Sequence, residues 1–389
     1  MFHFKMTNNK KRTGVILGGS GLIGGAINHY FKKNNDPNLE LVSPNSKKLS
    51  LRVRSDIKQY LQKIKPDFII NVAIASLDAD PQLSLETNYF GSINLARAAI
   101  SLNIPYIHFS SSATMPNGME LTEEDCLTLE PSLNNHDKSK LMAEFTLRHL
   151  WENEGLDCTI IRLGVVYGKH DHKIQGFHRL LFSIVDQAMP VLMTKPGIMH
   201  SYTNAKKIAP FVHYILDHRP EFSKQIYNFA DHNPVNLSVL IMTIKSYLQL
   251  NLPKEIYIPS SMAQIGRTML NWLVKKLSII SIETRLPAEL MFMENFYQSQ
   301  TLSVDKLKNS SYGLPLPEKT VFTELPAMIE YYLTRWEHLN LISSYNESFC
   351  NPRRLGETFM TNPEKILREA HHNSLEEIDS FNELRKNVK

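Results

Sequence analysis

The stretch Gly14–Gly25, GVILGGSGLIGG, constrains the fold more than any other part of this chain. Val15, Ile16 and Leu17 form a short apolar run of the kind that makes a buried strand. Glycines end that run, and residues 22–33 then continue with helical spacing. The glycines recur at every third position: Gly18, Gly21 and Gly24. Gly18 permits a sharp bend out of the strand. Gly21 lets an external group approach the backbone with no Cβ in the way. Gly24 lets the helix lie close to the strand. The first helical N–H groups, from Leu22, Ile23 and Gly24, then point outward with partial positive charge, which suits a pyrophosphate. Gly18, Gly21, Leu22, Ile23 and Gly24 are therefore the expected cofactor-binding residues of a dinucleotide site.

The rest of the N-terminal half supports a parallel sheet. Apolar strand-like runs (LELV, DFIINVA, PYIHFSS, DCTIIRL) alternate with helical stretches at 56–63, 83–102 and 138–154. Strands with continuous rather than alternating apolar character are covered on both faces, and an alternating order of strands and helices makes them parallel. The expected fold is α/β: a doubly wound Rossmann-type parallel sheet, a smaller interleaved C-terminal substrate lobe and a helical tail. Residues 12–168 form the dinucleotide-binding domain, to which later segments such as 225–248 return. Residues 169–340 make up most of the substrate lobe. Residues 341–389 form a polar helical tail, with Pro363 at a first helical position and Ser374 and Glu377 at capping-box spacing.

Composition narrows the function classes. At 389 residues the chain can bury a large core, and its net charge of +4 with no long basic tract gives no reason to expect a nucleic-acid partner. The three cysteines (Cys126, Cys158, Cys350) lack metal-ligand spacing and cannot all pair, which fits a reducing compartment. The N-terminus is polar and basic without an apolar segment, and no apolar run is long enough to span a bilayer. A cytoplasmic protein is expected, and a homodimer is compatible with it. The triplet His170-Asp171-His172 offers alternate residues on a loop without a further carboxylate, so no metal site is assigned. Residues 267–282 are basic and amphipathic. They are expected to pack as a lobe helix, with peripheral membrane contact as the alternative.

The end of the second strand bears on which dinucleotide is held. An acid at that point would bond the adenosine ribose hydroxyls of NAD(H). Here the strand runs into Ser43-Pro44-Asn45-Ser46-Lys47-Lys48, with no acid. Hydroxyl and amide groups followed by Lys47 and Lys48 suit a 2′-phosphate, so NADP(H) is favoured over NAD(H).

Further segments carry a resemblance. KPDFIINVA, ETNYFGSINLA, HFSSSAT, KSKLMAE, IIRLGVVYG and QIYNFADHNPVNLS, with the glycine turn, resemble the extended short-chain dehydrogenase/reductase family, also called the NAD-dependent epimerase/dehydratase family. The likeness runs from about Thr13 to Leu333. It implies hydride transfer between a nicotinamide cofactor and a small-molecule substrate, here a nucleotide-linked sugar. By matching positions, it places Asn71 and Ala73 on the adenosine side and Asn88 behind the catalytic strand. Ser112 matches the catalytic hydroxyl, and Lys140 the residue that bonds the nicotinamide ribose. The stretch 162–168 matches the loop beneath the nicotinamide.

The chain departs from the family at three places. His136 stands where the family has its catalytic Tyr, four residues before Lys140. In GIMHSYTNAKKIA, His200 replaces a substrate-binding Arg, and Lys206 and Lys207 replace two acids. Met115-Pro116 replaces a usual Tyr-Gly. Imidazole can transfer protons near neutral pH but reaches roughly 2–3 Å less far than a phenol, a gap that one water closes. Three readings of His136 follow. It is the working acid/base in an altered site. Or it marks a cofactor-binding protein without catalysis, with a structural or regulatory role. Or another acid serves, with Tyr167 and Tyr202 as candidates alongside a simpler role in the core.

Overall fold

The computed structural model describes residues 11–34, 39–185, 191–192, 197–250, 252–255, 297–315, 319–339, 341 and 359–364. Its centre is a six-stranded sheet. In chain order the described strands and helices begin with β1 (Arg12–Leu17), α1 (Leu22–Lys33), β2 (Leu39–Val42), α2 (Arg54–Ile64) and β3 (Phe68–Asn71). Next come α3 (Pro81–Ser84), a π-helical turn (Leu85–Phe90), α4 (Gly91–Leu102) and β4 (Tyr106–Ser111). The short strand β5 (Gly118–Leu121), the long helix α5 (Asn135–Asn153), β6 (Cys158–Leu163) and β7 (Val165–Tyr167) follow. The strand order is Gln225–Phe229, β6, β4, β3, β1, β2, and every neighbouring pair is parallel.

The winding reverses between β1 and β3. From β1 the chain passes outward to β2, then returns to the other side of β1 for β3 and moves outward again. At such a switch point the loops leaving the two strands diverge and leave a crevice at their carboxyl ends. Gly18 follows β1 there and Ala73 follows β3.

Alternate residues of the strands feed two cores. Val15, Leu17, Ile69, Tyr106 and Ile160 pack with Ile57 and Leu61 of α2, Ala96 and Ala99 of α4, and Leu147 and Leu150 of α5. Ile16, Ile70, Ile107, Phe109 and Ile161 pack on the opposite face with Ile27 and Phe31 of α1 and with Phe211, Val212 and Ile215 of the helix Ala205–Asp217. Both faces are covered, which is why these strands lack polar alternation.

The chain divides into two compact units. One comprises Met1–Phe177, Gly197–Asn236 and Gln298–Val321. It holds the six-stranded sheet and a second sheet in which β5, Met199–His200, Val235–Asn236 and Gln300–Leu302 associate. The other comprises His178–Pro196, Leu237–Tyr297 and Phe322–Lys389. In its described part, the helix ending at Val185 meets the helix ending at His338 through the ring pairs His178–Tyr332 (4.8 Å) and Phe182–Trp336 (5.0 Å).

These boundaries differ from the sequence expectation of 12–168, 169–340 and 341–389. Gln225–Phe229 does return to the sheet, but Leu237–Tyr247 belongs to the second unit. Residues 197–204 and 300–302 join the first unit because they pair with β7 and β5. The expected amphipathic helix at 267–282 and the capping box at Ser374 and Glu377 lie outside the described residues, as does the tail apart from 341 and 359–364.

Candidate functional site

The glycine turn has the geometry that its sequence requires. Gly18 lies at φ +84°, in the left-handed region, and a Cβ there would stand 2.7 Å from the backbone N of Ala73. A Cβ on Gly24 would stand 2.3 Å from the carbonyl O of Gly18, so only glycine lets α1 start this close to β1. Gly21 differs from both. Its φ of −77° and ψ of 176° are open to any residue, and a Cβ there would meet only the O of Gly18, at an ordinary 3.5 Å. The protein's own packing therefore does not demand glycine at position 21, whereas a ligand approaching the backbone would. No side chain caps the start of α1, and its first turn carries no acid. The residues present thus fit a dinucleotide pyrophosphate.

Beyond β2, Ser43 packs against Gly19; a Cβ on Gly19 would overlap its hydroxyl. The Asn45 carboxamide O accepts from the backbone N–H of Lys47 (3.1 Å) and Lys48 (3.0 Å), forming a tight turn that leaves both lysine side chains exposed.

Two of the expected cofactor residues have internal partners in the structure. Asn71 is buried, and its side chain is engaged internally: Nδ2 donates to Ser92 Oγ (3.1 Å) and Tyr106 Oη (3.0 Å), and Oδ1 accepts from Ala73 N (3.2 Å). These bonds tie the end of β3 to α4 and β4. Lys140 is also buried, and its Nζ donates to the carbonyl of Phe109 at 2.8 Å. Burial lowers its pKa to about 8, against the opposing pull of Glu144.

Helix α5 carries His136, Lys140 and Glu144 at i, i+4 and i+8, hence on one face, and all three are buried. Glu144 anchors the end of β4 and the turn that follows it. Its Oε1 accepts from Ser110 Oγ and from Thr114 Oγ1 (2.9 Å), which stand two residues before and two after Ser112. Its other contact is the fully buried Arg162, whose Nη2 lies 2.8 Å from Oε2. Arg162 in turn donates to the carbonyls of Glu123 (3.0 Å) and Asp125 (2.9 Å). Arg162 thus ties β6 to α5 and to the segment 123–125. Ser112 follows β4 in a single 3₁₀ turn, and Gln300 Nε2 donates to its carbonyl at 3.0 Å. Its hydroxyl forms no hydrogen bond among the described residues.

His136 is buried near the start of α5. Its Nδ1 lies 2.8 Å from Asp137 Oδ1. Asn88, in the π-helical turn, links this helix to the loop after β3: Nδ2 donates to Ser139 Oγ (3.0 Å), and Oδ1 accepts from Ala75 N (2.8 Å). Ser139 Oγ donates in turn to the carbonyl of His136 at 2.9 Å. Both alternative acids, Tyr167 and Tyr202, are buried. Tyr167 Oη donates to the buried Asp231 carboxylate at 2.7 Å, and the same carboxylate pairs with Lys207 at 2.7 Å. Tyr202 is buried, and burial pushes its pKa up. His200 is buried in a strand of the second sheet. Asp171 bonds the backbone N–H of Lys173 and Gln175 in its own loop.

Sequence reasoning missed Asp137, Glu144 and Gln300. The spacing of Glu144 from Lys140 was a readable signal, and so was Asp137 next to His136. Nothing local marks Gln300.

A doubly wound sheet with a glycine turn at its switch point defines a dinucleotide-binding protein of Rossmann type. The sequence matches the NAD dependent epimerase/dehydratase family over residues 15–230, more than half its length, and the chain belongs to that family. It is 24% identical over 300 residues to methionine adenosyltransferase 2 subunit beta of Xenopus tropicalis, covering 74% of this chain and 87% of that protein. It is 22% identical over 246 residues to GDP-L-fucose synthase of Dictyostelium discoideum, covering 59% of this chain and 77% of that one. Among solved structures, dTDP-glucose 4,6-dehydratase of Bacillus anthracis in complex with NAD superposes with a TM-score of 0.60 at 13% identity, covering 84% of this chain and 98% of that one. UDP-glucose 4-epimerase of Thermus thermophilus in complex with NAD gives 0.56 at 17%, covering 82% and 98%. The two structures share the fold.

Proposed function

We propose that this protein is an NADP(H)-dependent oxidoreductase or epimerase acting on a nucleotide-linked sugar, with His136 as its proton-transfer group. A bound nicotinamide supplies the hydride acceptor or donor. Gly18, Gly21 and Gly24 hold the pyrophosphate against the start of α1. Ser43, Lys47 and Lys48, with no carboxylate after β2, favour a 2′-phosphate. The Ser112 hydroxyl bonds the reacting oxygen of the sugar, and His136 exchanges the proton on that oxygen. Lys140 fixes α5 to β4 through the Phe109 carbonyl and keeps a cationic group beneath the site.

The observation that carries this reading is the support around the two reacting side chains. Glu144 holds Ser110 and Thr114, two residues to either side of Ser112, and Asn88 and Asp137 hold the turn that presents His136. His136→Ala should lower turnover with a nucleotide-sugar substrate by roughly 10²–10⁴-fold while leaving NADPH affinity intact. His136→Tyr tests whether the pocket still accepts the family's phenol.

A second reading has its own support. The relative from Xenopus tropicalis is named as a subunit of another enzyme and matches 74% of this chain. A cofactor-binding protein with a structural or regulatory role would bind NADPH yet show no hydride transfer across a panel of nucleotide sugars, with or without His136.

A further inference from the structure

The first turn of α5 contains an arrangement that neither the glycine turn nor Ser112 requires. Asn134 caps the helix: its Oδ1 accepts from the backbone N–H of Asp137 at 2.9 Å. That bond orients the carboxamide, so Nδ2 faces Asp137 and donates to Oδ2 at 2.6 Å. The other carboxylate oxygen, Oδ1, lies 2.8 Å from His136 Nδ1. An ionised carboxylate only accepts hydrogen bonds, so Nδ1 must carry the proton and Nε2 the lone pair. Nε2 has no hydrogen-bond partner among the described residues, and it is not among their buried polar atoms that lack a partner. The lone pair is therefore open to an incoming group.

We propose that Asp137 is a positioning residue that locks His136 in the Nδ1–H tautomer, with Nε2 as the proton acceptor, and that Asn134 sets the carboxylate for this task. The inference rests on the reading of His136 as the proton-transfer group. When a substrate hydroxyl gives up its proton, its O–H bond breaks, an Nε2–H bond forms and the electron pair stays on oxygen. The imidazolium then sits against the Asp137 carboxylate, which stabilises the charge. A phenol in this position needs no such partner, since it has one oxygen and no tautomers. Imidazole has two nitrogens, and only one tautomer can accept a proton at Nε2.

The geometry predicts the outcome of an isosteric change. In Asp137→Asn the Asn134 amide still faces the new side chain with its NH₂ group, because the helix cap holds it. The new carboxamide must therefore turn its oxygen to Asn134 and its own NH₂ to His136 Nδ1. Nδ1 then becomes the acceptor, and the proton moves to Nε2. The wrong tautomer of a carboxylate-oriented histidine can cost about 10⁴-fold in turnover with little change of structure.

The test is ¹⁵N NMR of the histidine rings in full-length protein at a pH where His136 is neutral, with the His136 signals assigned by their loss in His136→Gln. In the wild type, Nδ1 should be protonated and Nε2 should resonate as a bare nitrogen. In Asp137→Asn the two should exchange. A wild-type His136 protonated at Nε2 would overturn the proposal, as would an unchanged Nδ1–H tautomer in Asp137→Asn. The wild-type spectrum decides even if the variant does not fold. Correct tautomers without turnover on any nucleotide sugar would leave the positioning role standing and sink the catalytic reading instead. Where turnover is measurable, Asp137→Asn should lower kcat far more than it raises KM, and Asn134→Ala should give a milder loss in the same direction.

Discussion

Substitutions at Gly21 and Gly24 should separate cofactor binding from folding. A Cβ on Gly24 would stand 2.3 Å from Gly18 O, 2.6 Å from Gly19 Cα and 2.8 Å from Gly18 C, all of them backbone atoms that cannot move alone. Gly24→Ala must push α1 away from β1, and overpacking of this kind costs about 1–3 kcal/mol. A Cβ on Gly21 meets only Gly18 O, at 3.5 Å, in a backbone conformation open to any residue. Two small effects oppose each other there. Replacing glycine restricts the unfolded chain, a gain of about 0.4–1 kcal/mol. Alanine is a poorer N-cap than glycine by a similar amount, about 0.5–1 kcal/mol. Gly21→Ala should therefore leave stability within about 1 kcal/mol of wild type. Its methyl group nevertheless stands where the pyrophosphate must approach. If the bound complex bears the same overpacking of about 1–3 kcal/mol, NADPH binds about 5- to 150-fold more weakly. Gly21→Val should remove measurable binding. Urea denaturation gives the stabilities, and fluorescence titration with NADPH gives the affinities. A folded Gly21→Ala protein of wild-type stability that binds NADPH as tightly as wild type would refute the assignment of this turn as the cofactor site.

Two further outcomes follow from the same structure. Replacing Lys47 and Lys48 together by Ala should weaken NADPH more than NADH, because only NADPH carries the 2′-phosphate; a wild-type protein that binds NADH tighter than NADPH would reverse the cofactor preference. Lys140 bears on pH: its folded pKa, lowered by burial to about 8, lies below the ordinary 10.5. Between those values the folded protein has released a proton that the unfolded chain still holds, so this residue makes stability rise with pH across that window. Below it, the buried charge is a standing penalty. Lys140→Met should flatten the rise in urea midpoints from pH 8 to pH 10, and equal slopes in the two proteins would show that the lysine is not desolvated.

Most of the sheet was legible because its signals are local. Apolar runs, the intervening helices and the glycine triplet repeat over distances that the backbone's own geometry sets, so β1, α1, β3 and β4 could be bounded within a residue or two. The same holds for the placement of Ser112 at a strand end and of Lys140 on a helix; the sequence reading starts that helix at 138, whereas the Asn134 cap starts it at Asn135 and so brings His136 onto the same face. What a side chain touches is a different matter, since it depends on which strands become neighbours and which face each residue takes. Asn71 is placed on the adenosine side by its match to the family's pattern, which says nothing of its partners in this chain. Only the placement of β4 beside β3 brings Tyr106 within reach of its amide and turns it inward. The resemblance assigns Lys140 to a ribose, and only the packing of α5 over β4 shows that it also reaches the Phe109 carbonyl. Gln300 bonds the Ser112 carbonyl across 188 residues of chain, through a second sheet whose pairing no periodicity announced. His136 shows both sides of this division. The sequence alone determined that an imidazole replaces the family's phenol. Only the folded turn, where Asn134, Asp137 and His136 bond in succession, decided which of its nitrogens is left open to accept a proton, because a tautomer follows from hydrogen-bond partners and not from residue type.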